Sequence, residues 1–302
     1  MELAARAFDP GTTAGKAWAE VARVLREAGV ESPVVDARLL VCHALGTDRL
    51  GLLREPNRPV GDAASALADA VKRRLAREPV SRIIGERAFW GRQFSISPAT
   101  LDPRADSETL IAAGLELAGP LQEARPDRPL RLLDLGTGSG CLLLTLLAEL
   151  PAAEGIGVDI SPEALDVARG NAARLGVAGR AQFVLGDWMA CMEGPFDLVL
   201  SNPPYIRHSD LASLAPEVIA YDPALALDGG EDGLAAYRQI LARPPELNPG
   251  GAILFEVGQG QADRVLEMLA TAYSRQPEGI WPRALRRWQD LSGIERVVGL
   301  AT

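Results

Sequence analysis

The chain has 302 residues, of which 47% are hydrophobic, enough to bury a sizeable core and a second, smaller one. A net charge of −9 with scattered cations argues against tight binding of duplex DNA or RNA, which needs grouped Lys and Arg to neutralise phosphates. The three cysteines (Cys42, Cys141, Cys191) form no CxxC pair and the two histidines (His43, His208) lie far apart, so neither a disulfide framework nor a metal site is expected and the setting reads as cytoplasmic.

The N-terminus lacks the basic-then-apolar layout of a signal peptide, and the longest apolar run, Cys141 to Ala148, is too short to span a bilayer, so no membrane partner is expected. From about Ala14 to Arg77 the pattern is helical. Trp18, Val21, Val24, Leu25 and Ala28 recur at helical spacing before Gly29. Ser32-Pro33 reads as a cap and first-turn proline for a helix with Val35, Leu39, Leu40 and Cys42 as its apolar residues. Gly61 to Arg77 is a third amphipathic stretch, with Lys72-Arg73-Arg74 read as a solvated face. Residues 1–79 are therefore expected to form a small helical bundle. Both a partner-docking module and a stabilising extension remain open for it.

Between Val80 and Pro103, the runs at Ile83-Ile84, Phe89-Trp90-Gly91 and Phe94-Ser95-Ile96 predict a β-hairpin linker over 80–105, with a turn near Gly85. Asp106 or Ser107 is a candidate cap for a helix through Leu110, Ile111, Leu115 and Leu117, followed by a loop over 122–129. From Leu130 onward strands and helices alternate, as in a parallel α/β sheet. The predicted strands are Arg131–Leu135, Gly155–Ile160, Ala181–Leu185, Asp197–Leu200, Ala252–Val257 and Glu295–Gly299.

Four of the predicted strands end in residues suited to holding a ligand. After the first comes Gly136-Thr137-Gly138-Ser139-Gly140, a turn whose glycines let backbone approach a ligand at a helix N-terminus. Its spacing is GxGxG, and Cys141 stands where the dinucleotide fingerprint has its third glycine. Asp159 ends the second strand, where an acid takes ribose hydroxyls or caps the helix at Ser161-Pro162. Asp187-Trp188 follows the third, an aromatic and a carboxylate able to flank an adenine. The fourth ends in Asn202-Pro203-Pro204-Tyr205. Two prolines fix φ and remove two N–H donors, so the chain leaves the sheet stiffly, presenting the Asn202 amide and two carbonyls beside the Tyr205 ring. Such a set of acceptors suits a planar group carrying an NH2. All four strand ends are expected at one edge of the sheet.

These residues resemble the S-adenosyl-L-methionine site of class I methyltransferases that modify planar amino groups. Over nearly the whole chain the sequence is similar to the PrmC/HemK family of protein-(glutamine-N5) methyltransferases. The similarity is carried by Pro79-Val80, Ile83-Ile84-Gly85, Phe89-Trp90-Gly91, Pro103-Arg104 and Glu108-Thr109. Downstream it continues through Asp228-Gly229-Gly230, Asp232-Gly233-Leu234, Glu256-Val257-Gly258 with Gln261, and Asp290-Leu291-Ser292-Gly293. The resemblance implies a Rossmann-like methyltransferase sheet over 106–302, mostly parallel with a C-terminal antiparallel strand, joined by the hairpin to a helical substrate-docking domain. It implies methylation of the glutamine in the GGQ loop of peptide chain release factors, leaving S-adenosyl-L-homocysteine; the enzyme is expected to be a monomer. Cofactor contacts carry over onto Gly136, Thr137, Gly138, Ser139, Gly140, Asp159, Trp188 and Asn202. Substrate contacts carry over onto Asn202, Pro203, Pro204 and Tyr205, with Asn202, Pro203 and Tyr205 as the catalytic set.

One segment departs from the family pattern. Pro-Arg-Pro-Glu/Asp-Thr-Glu reads here as Pro103-Arg104-Ala105-Asp106-Ser107-Glu108, so the loop loses a proline. For Arg104 and Glu108, a mutual ion pair or loop brace stands level with substrate contact. The alternative substrates are a ribosomal-protein glutamine, whose enzymes usually read Pro-Arg-Ser-Pro in this segment, and a nucleic-acid amine. The second needs a basic channel and a pocket for an extruded base. A cofactor-binding module without catalysis is the remaining rival, and it has no need of a rigid amide grip.

Overall fold

Alanine and aliphatic residues three and four apart give helix α1 (Ala14–Glu27) one buried stripe, Ala14, Ala17, Val21 and Leu25. The computed structural model describes residues 8–190, 192–274 and 284–302. Cys191 lies outside them. The chain forms two compact units, one of the described residues up to Gly85 with Ala215–Tyr221, the other of Glu86–Leu214 with Asp222–Thr302.

In the first unit α1 shares a core with α2 (Pro33–Leu45), α3 (Arg49–Arg54), α4 (Ala64–Leu75) and α5 (Val80–Ile84). The predicted face of α2 is corrected. Its run Val34-Val35 to Leu39-Leu40-Val41 is apolar on several sides, and packing selects Ala37, Leu40, Val41 and Leu45 while Val35 and Leu39 stay exposed. Ser32 makes no side-chain cap bond. Ile83-Ile84 are not extended; they end α5, where Gly85 turns left-handed and Ile83 is buried in this core. Arg74 is not solvated either. It is buried, pairing with Asp36 at 2.8 Å and with Glu217 at 3.4 Å. Glu217 belongs to a helix from later in the chain, α9 (Pro216–Tyr221).

In the second unit β1 (Glu86–Phe89) and β2 (Arg92–Ser95) form the antiparallel hairpin, with Phe89 and Phe94 buried in the core under α6 (Glu108–Ala124). The large sheet contains β3 (Arg131–Leu135), β4 (Glu154–Asp159), β5 (Ala181–Leu185), β6 (Phe196–Ser201), β7 (Leu247–Glu256), β8 (Ala284–Gln289) and β9 (Glu295–Ala301). Its order is β5-β4-β3-β6-β7-β9-β8, parallel through β7, with β9 antiparallel to both its neighbours. This is the predicted Rossmann-like architecture. One face is covered by α6, α7 (Cys141–Glu149) and α8 (Pro162–Arg174), the other by α10 (Ala235–Ala242) and α11 (Ala262–Ser274).

Three elements differ from expectation. Strand β8 was not foreseen, because Arg286 and Arg287 interrupt its apolar pattern. As an edge strand it turns those charges outward, to Glu116, Asp263 and Glu295. Strand β7 starts at Leu247 rather than Ala252, running through Pro249-Gly250-Gly251 with a register shift against β6. Helix α6 runs through Pro120 to Ala124, and Arg125 just beyond it is held by buried Asp197 at 2.9 Å. Asp197 also accepts from Arg128, Asn248 and the Arg131 N–H, pinning the sheet edge opposite the strand carboxyl ends.

Candidate active site

Parallel register brings the critical strand ends into one row. Leu135 of β3 pairs with Ser201 of β6, and Ser201 with Phe255 of β7. Of the next residues, Gly136 and Asn202 leave the sheet side by side, next to Glu256, the last residue of β7, which still pairs with Val297 of β9. Here strand order reverses, since β4 and β5 lie on one side of β3 and β6 returns to the other, the place where open α/β sheets bind ligands.

A cavity of about 510 Å³ opens at this edge. Of the predicted site residues, Gly136, Thr137, Gly138, Ser139, Asp159, Trp188, Asn202 and Pro204 line it. Gly140, Pro203 and Tyr205 are not part of the lining. Gly140 caps α7 and packs toward Leu144 and Ala168. The Tyr205 ring joins the apolar core between the sheet and α10–α11.

The glycine-rich turn is held from below. The Gly136 and Thr137 N–H groups both donate to the Val158 carbonyl at 2.9 Å, and the Thr137 hydroxyl donates to Asp134 at 2.7 Å. Complete burial pushes the Asp134 carboxyl up to about 7, against the hydrogen bond from Thr137. Asp159 Oδ2 accepts from the Gly138 N–H (2.8 Å) and Oδ1 from the Ser161 N–H (2.9 Å). Capping of α8 falls to Ser161, whose hydroxyl accepts from the Ala164 N–H. The Trp188 ring lies against Gly136, where a Cβ would come within 3.3 Å of it, and Trp188 Nε1 donates to Gln239 at 2.8 Å.

The proline corner is braced from three sides. Asn202 Nδ2 donates to Ser107 Oγ at 3.3 Å, and the Tyr205 hydroxyl donates to Glu256 Oε1 at 3.3 Å. Gln261 Nε2 donates to the Tyr205 carbonyl at 2.9 Å, while Gln261 Oε1 accepts from the Gly258 N–H. At Gly233 (φ +75°) a Cβ would overlap the Tyr205 carbonyl oxygen, so only glycine lets this turn close on the corner.

Curated relatives match this sequence over most of their length. The chain is 48% identical to the release factor glutamine methyltransferase of Rhodospirillum rubrum over 90% of its own length and 80% of that protein's. It is 46% identical to the namesake from Bradyrhizobium diazoefficiens over 97% of both. The chain belongs to the release factor glutamine methyltransferase family. Family profiles agree, the PrmC N-terminal domain over residues 16–85 and a methyltransferase domain over residues 126–242. Among solved structures, the hMettl16 catalytic domain, crystallised with MAT2A 3'UTR hairpin 6, has the same fold (TM-score 0.53, 15% identity, covering 76% of this chain and 81% of that one).

The segment where this family member lacks the second proline is stiffened by charge instead. Arg104 pairs with Asp222 at 2.7 Å and lines the cavity, and Asp106 pairs with Arg296 at 3.0 Å. Glu108 accepts from the Trp90 N–H at 2.8 Å, so Arg104 and Glu108 brace different loops rather than each other. His208, exposed, meets Asp228 at 2.8 Å.

Sequence reasoning missed the roles of Glu256 and Ser107. Glu256 is fully buried, and burial pushes its carboxyl up to about 7 while Ser107, Arg296 and Tyr205 hold it down. The signal was present: an acid closes the otherwise apolar run Ala252–Phe255. Among the described residues no cluster fit for a metal ion occurs, and no helix is long and apolar enough to cross a membrane.

Proposed function

We propose that this chain transfers a methyl group from S-adenosyl-L-methionine to the side-chain amide nitrogen of the glutamine in the GGQ loop of peptide chain release factors. The observation that carries the reading is the row Gly136, Asn202, Glu256, which sets a glycine-lined hollow and an amide grip on adjacent strands. The cavity fits the cofactor. Its size falls in the range of small-molecule sites, and a Cβ at Gly138 would meet nothing within 4 Å, leaving open space over the turn. Trp188 and Ile160 offer apolar walls, and Asp159 retains lone pairs for hydroxyl groups after its two backbone bonds. When bound, S-adenosyl-L-methionine supplies a methyl group on a positively charged sulfur.

A carboxamide nitrogen is a weak nucleophile because its lone pair is delocalised into the carbonyl. In this reading Asn202 Oδ1 and the Pro203 carbonyl accept the two N–H hydrogens of the substrate amide, fixing the nitrogen and favouring its rehybridisation. Near-attack placement of this kind supplies on the order of 7–11 kcal/mol. Acceptors facing the developing positive charge add electrostatic stabilisation, and the N-protonated methylamide, being very acidic, then releases one proton to water. Tyr205 contributes from behind, through its carbonyl and hydroxyl bonds. The helical unit, with its PrmC N-terminal domain signature, is assigned to docking the release factor.

Mass spectrometry of the GGQ peptide, after incubation of a release factor with enzyme and labelled cofactor, tests the assignment. A single methyl group on the glutamine is expected, and none on ribosomal proteins or oligonucleotides offered in parallel. Asn202→Ala should lower turnover by roughly 10²–10³ while the protein stays folded. Near-normal turnover in that variant would remove Asn202 from the mechanism.

A further inference from the structure

Behind the amide grip, polar side chains converge on one carboxyl that the proposed chemistry does not use. Asn202 Nδ2 donates to Ser107 Oγ, the Tyr205 hydroxyl donates to Glu256 Oε1, and the Ser107 hydroxyl hydrogen-bonds the same buried carboxyl. Ser107, itself buried, is the strongest of the groups that favour the charged form of this carboxyl. A hydroxyl has one proton to give and lone pairs to receive with. If it gives that proton to a carboxylate, it can only accept from the amide on its other side.

We infer that ionised Glu256 sets the polarity of the chain Asn202–Ser107–Glu256, and so makes Asn202 present its oxygen rather than its NH2 to the cavity. The inference rests on the amide-gripping role proposed for Asn202. Ser107 takes its direction from the carboxylate and fixes Asn202 Nδ2, which turns Oδ1 toward the substrate. Protonated Glu256 instead donates. Ser107 is then free to give its proton to Asn202 Oδ1, and the side chain that should accept from an NH2 substrate offers an NH2 of its own. Glu256 and Ser107 are thus positioning residues, acting through Asn202.

The surroundings of Glu256 place its titration in a useful range. Burial raises it to about 7; Ser107, Arg296 of β9 and Tyr205 oppose the rise, and Asp106 adds to it. Tyr237 of α10 donates to the Glu256 backbone carbonyl at 2.8 Å and stays protonated, its own phenol raised by burial. Cys141 of α7, raised to about 12, stays a neutral thiol, and Arg296 is shared with Asp106 and Asp290.

The test is the pH profile of kcat/KM for release-factor methylation between pH 5.5 and 8.5, which reports groups titrating in the free enzyme. The wild-type rate should fall with about a tenfold loss per pH unit below about 7, the Glu256 value. Glu256→Gln should be roughly tenfold to a hundredfold slower at pH 8 and should lose that acid limb. Ser107→Ala keeps the carboxyl but cuts its link to Asn202, so it should also flatten the limb, while Ser107→Thr restores it. Cofactor affinity by calorimetry should fall less than kcat/KM does in Glu256→Gln and Ser107→Ala, since of the contacts assigned to the cofactor they disturb Asn202 alone. A wild-type profile flat through pH 7, or Ser107→Ala and Glu256→Gln profiles that keep the wild-type limb, would overturn the inference. If Asn202→Ala is inactive while those profiles go unchanged, only the polarity device fails. If Asn202→Ala is fully active, the amide grip fails and this inference falls with it.

Discussion

Asp159 has each carboxylate oxygen engaged by one backbone N–H, from Gly138 and from Ser161, yet still faces the cavity. The two readings open from sequence, ribose ligand and helix cap, are therefore not exclusive at this residue. The cap itself is Ser161, and Asp159 ties the glycine turn to the start of α8 while keeping lone pairs for a ligand. Hydrogen bonds to a charged group contribute about 1.5–3 kcal/mol, so Asp159→Ala should weaken S-adenosyl-L-methionine binding roughly 10- to 100-fold by calorimetry. Turnover at saturating cofactor should fall less than affinity does. Unchanged affinity would remove the ribose assignment. Asp159, Trp188 and Asn202 were legible because each follows an apolar run that can only be a strand, and strand ends at one edge converge. Ser107 was not legible in the same way, since its partners come from a different strand and nothing local marks its hydroxyl as one link of a chain.

The proline corner owes its shape to the loop from Ile206 to Gly233 as much as to its own sequence. The Ile206 N–H donates to the Leu227 carbonyl, the Gly229 N–H donates back to Ile206, and Gly233 closes on the Tyr205 carbonyl. Gly233→Ala therefore meets two penalties, left-handed backbone and overlap with a carbonyl that Gln261 already holds. Gly176, at φ +72° with nothing within 4 Å of a Cβ, separates them. Gly176→Ala should cost about 1 kcal/mol in thermal unfolding and leave turnover intact. Gly233→Ala should be destabilised further and lose at least tenfold in turnover, with cofactor affinity less affected. Equal behaviour of the two variants would show that the loop does not shape the corner. Elements of this kind also mark where sequence reading stopped. The strands flanking the site were located to within a residue or two, apart from the start of β7, because buried parallel strands are uniformly apolar. Strand β8, with Arg286 and Arg287, and the buried face of α2, apolar on several sides, depend on neighbours that no local pattern names.

Across the whole molecule, two buried carboxyls at the carboxyl edge of the sheet set a conflict between fold and site. Asp134 and Glu256 both titrate near 7, raised from ordinary values of 3.8 and 4.5 chiefly by burial. A folded-state value above the unfolded one means that folding takes up protons between the two. The associated stability is fully present below the unfolded value and is lost as pH rises through about 7. At Glu256 the inferred chemistry wants the opposite, an ionised carboxylate. The fold therefore gives up stability at neutral pH to keep the grip correctly polarised, an exchange common where activity depends on a strained site. Carboxylates lowered by their partners, such as Asp228 beside His208 and Asp290 beside the Ile294 N–H, act in the other sense and lose their contribution only in stronger acid. Comparison with a neutral variant cancels them. The melting temperature of Glu256→Gln relative to wild type should rise by several degrees between pH 5.5 and pH 8.5, because only the wild type loses the contribution of the protonated acid. Asp134→Asn should move the same way. A constant difference across that range would mean that neither carboxyl changes its proton count on unfolding, and that the acid limb of activity comes from another group.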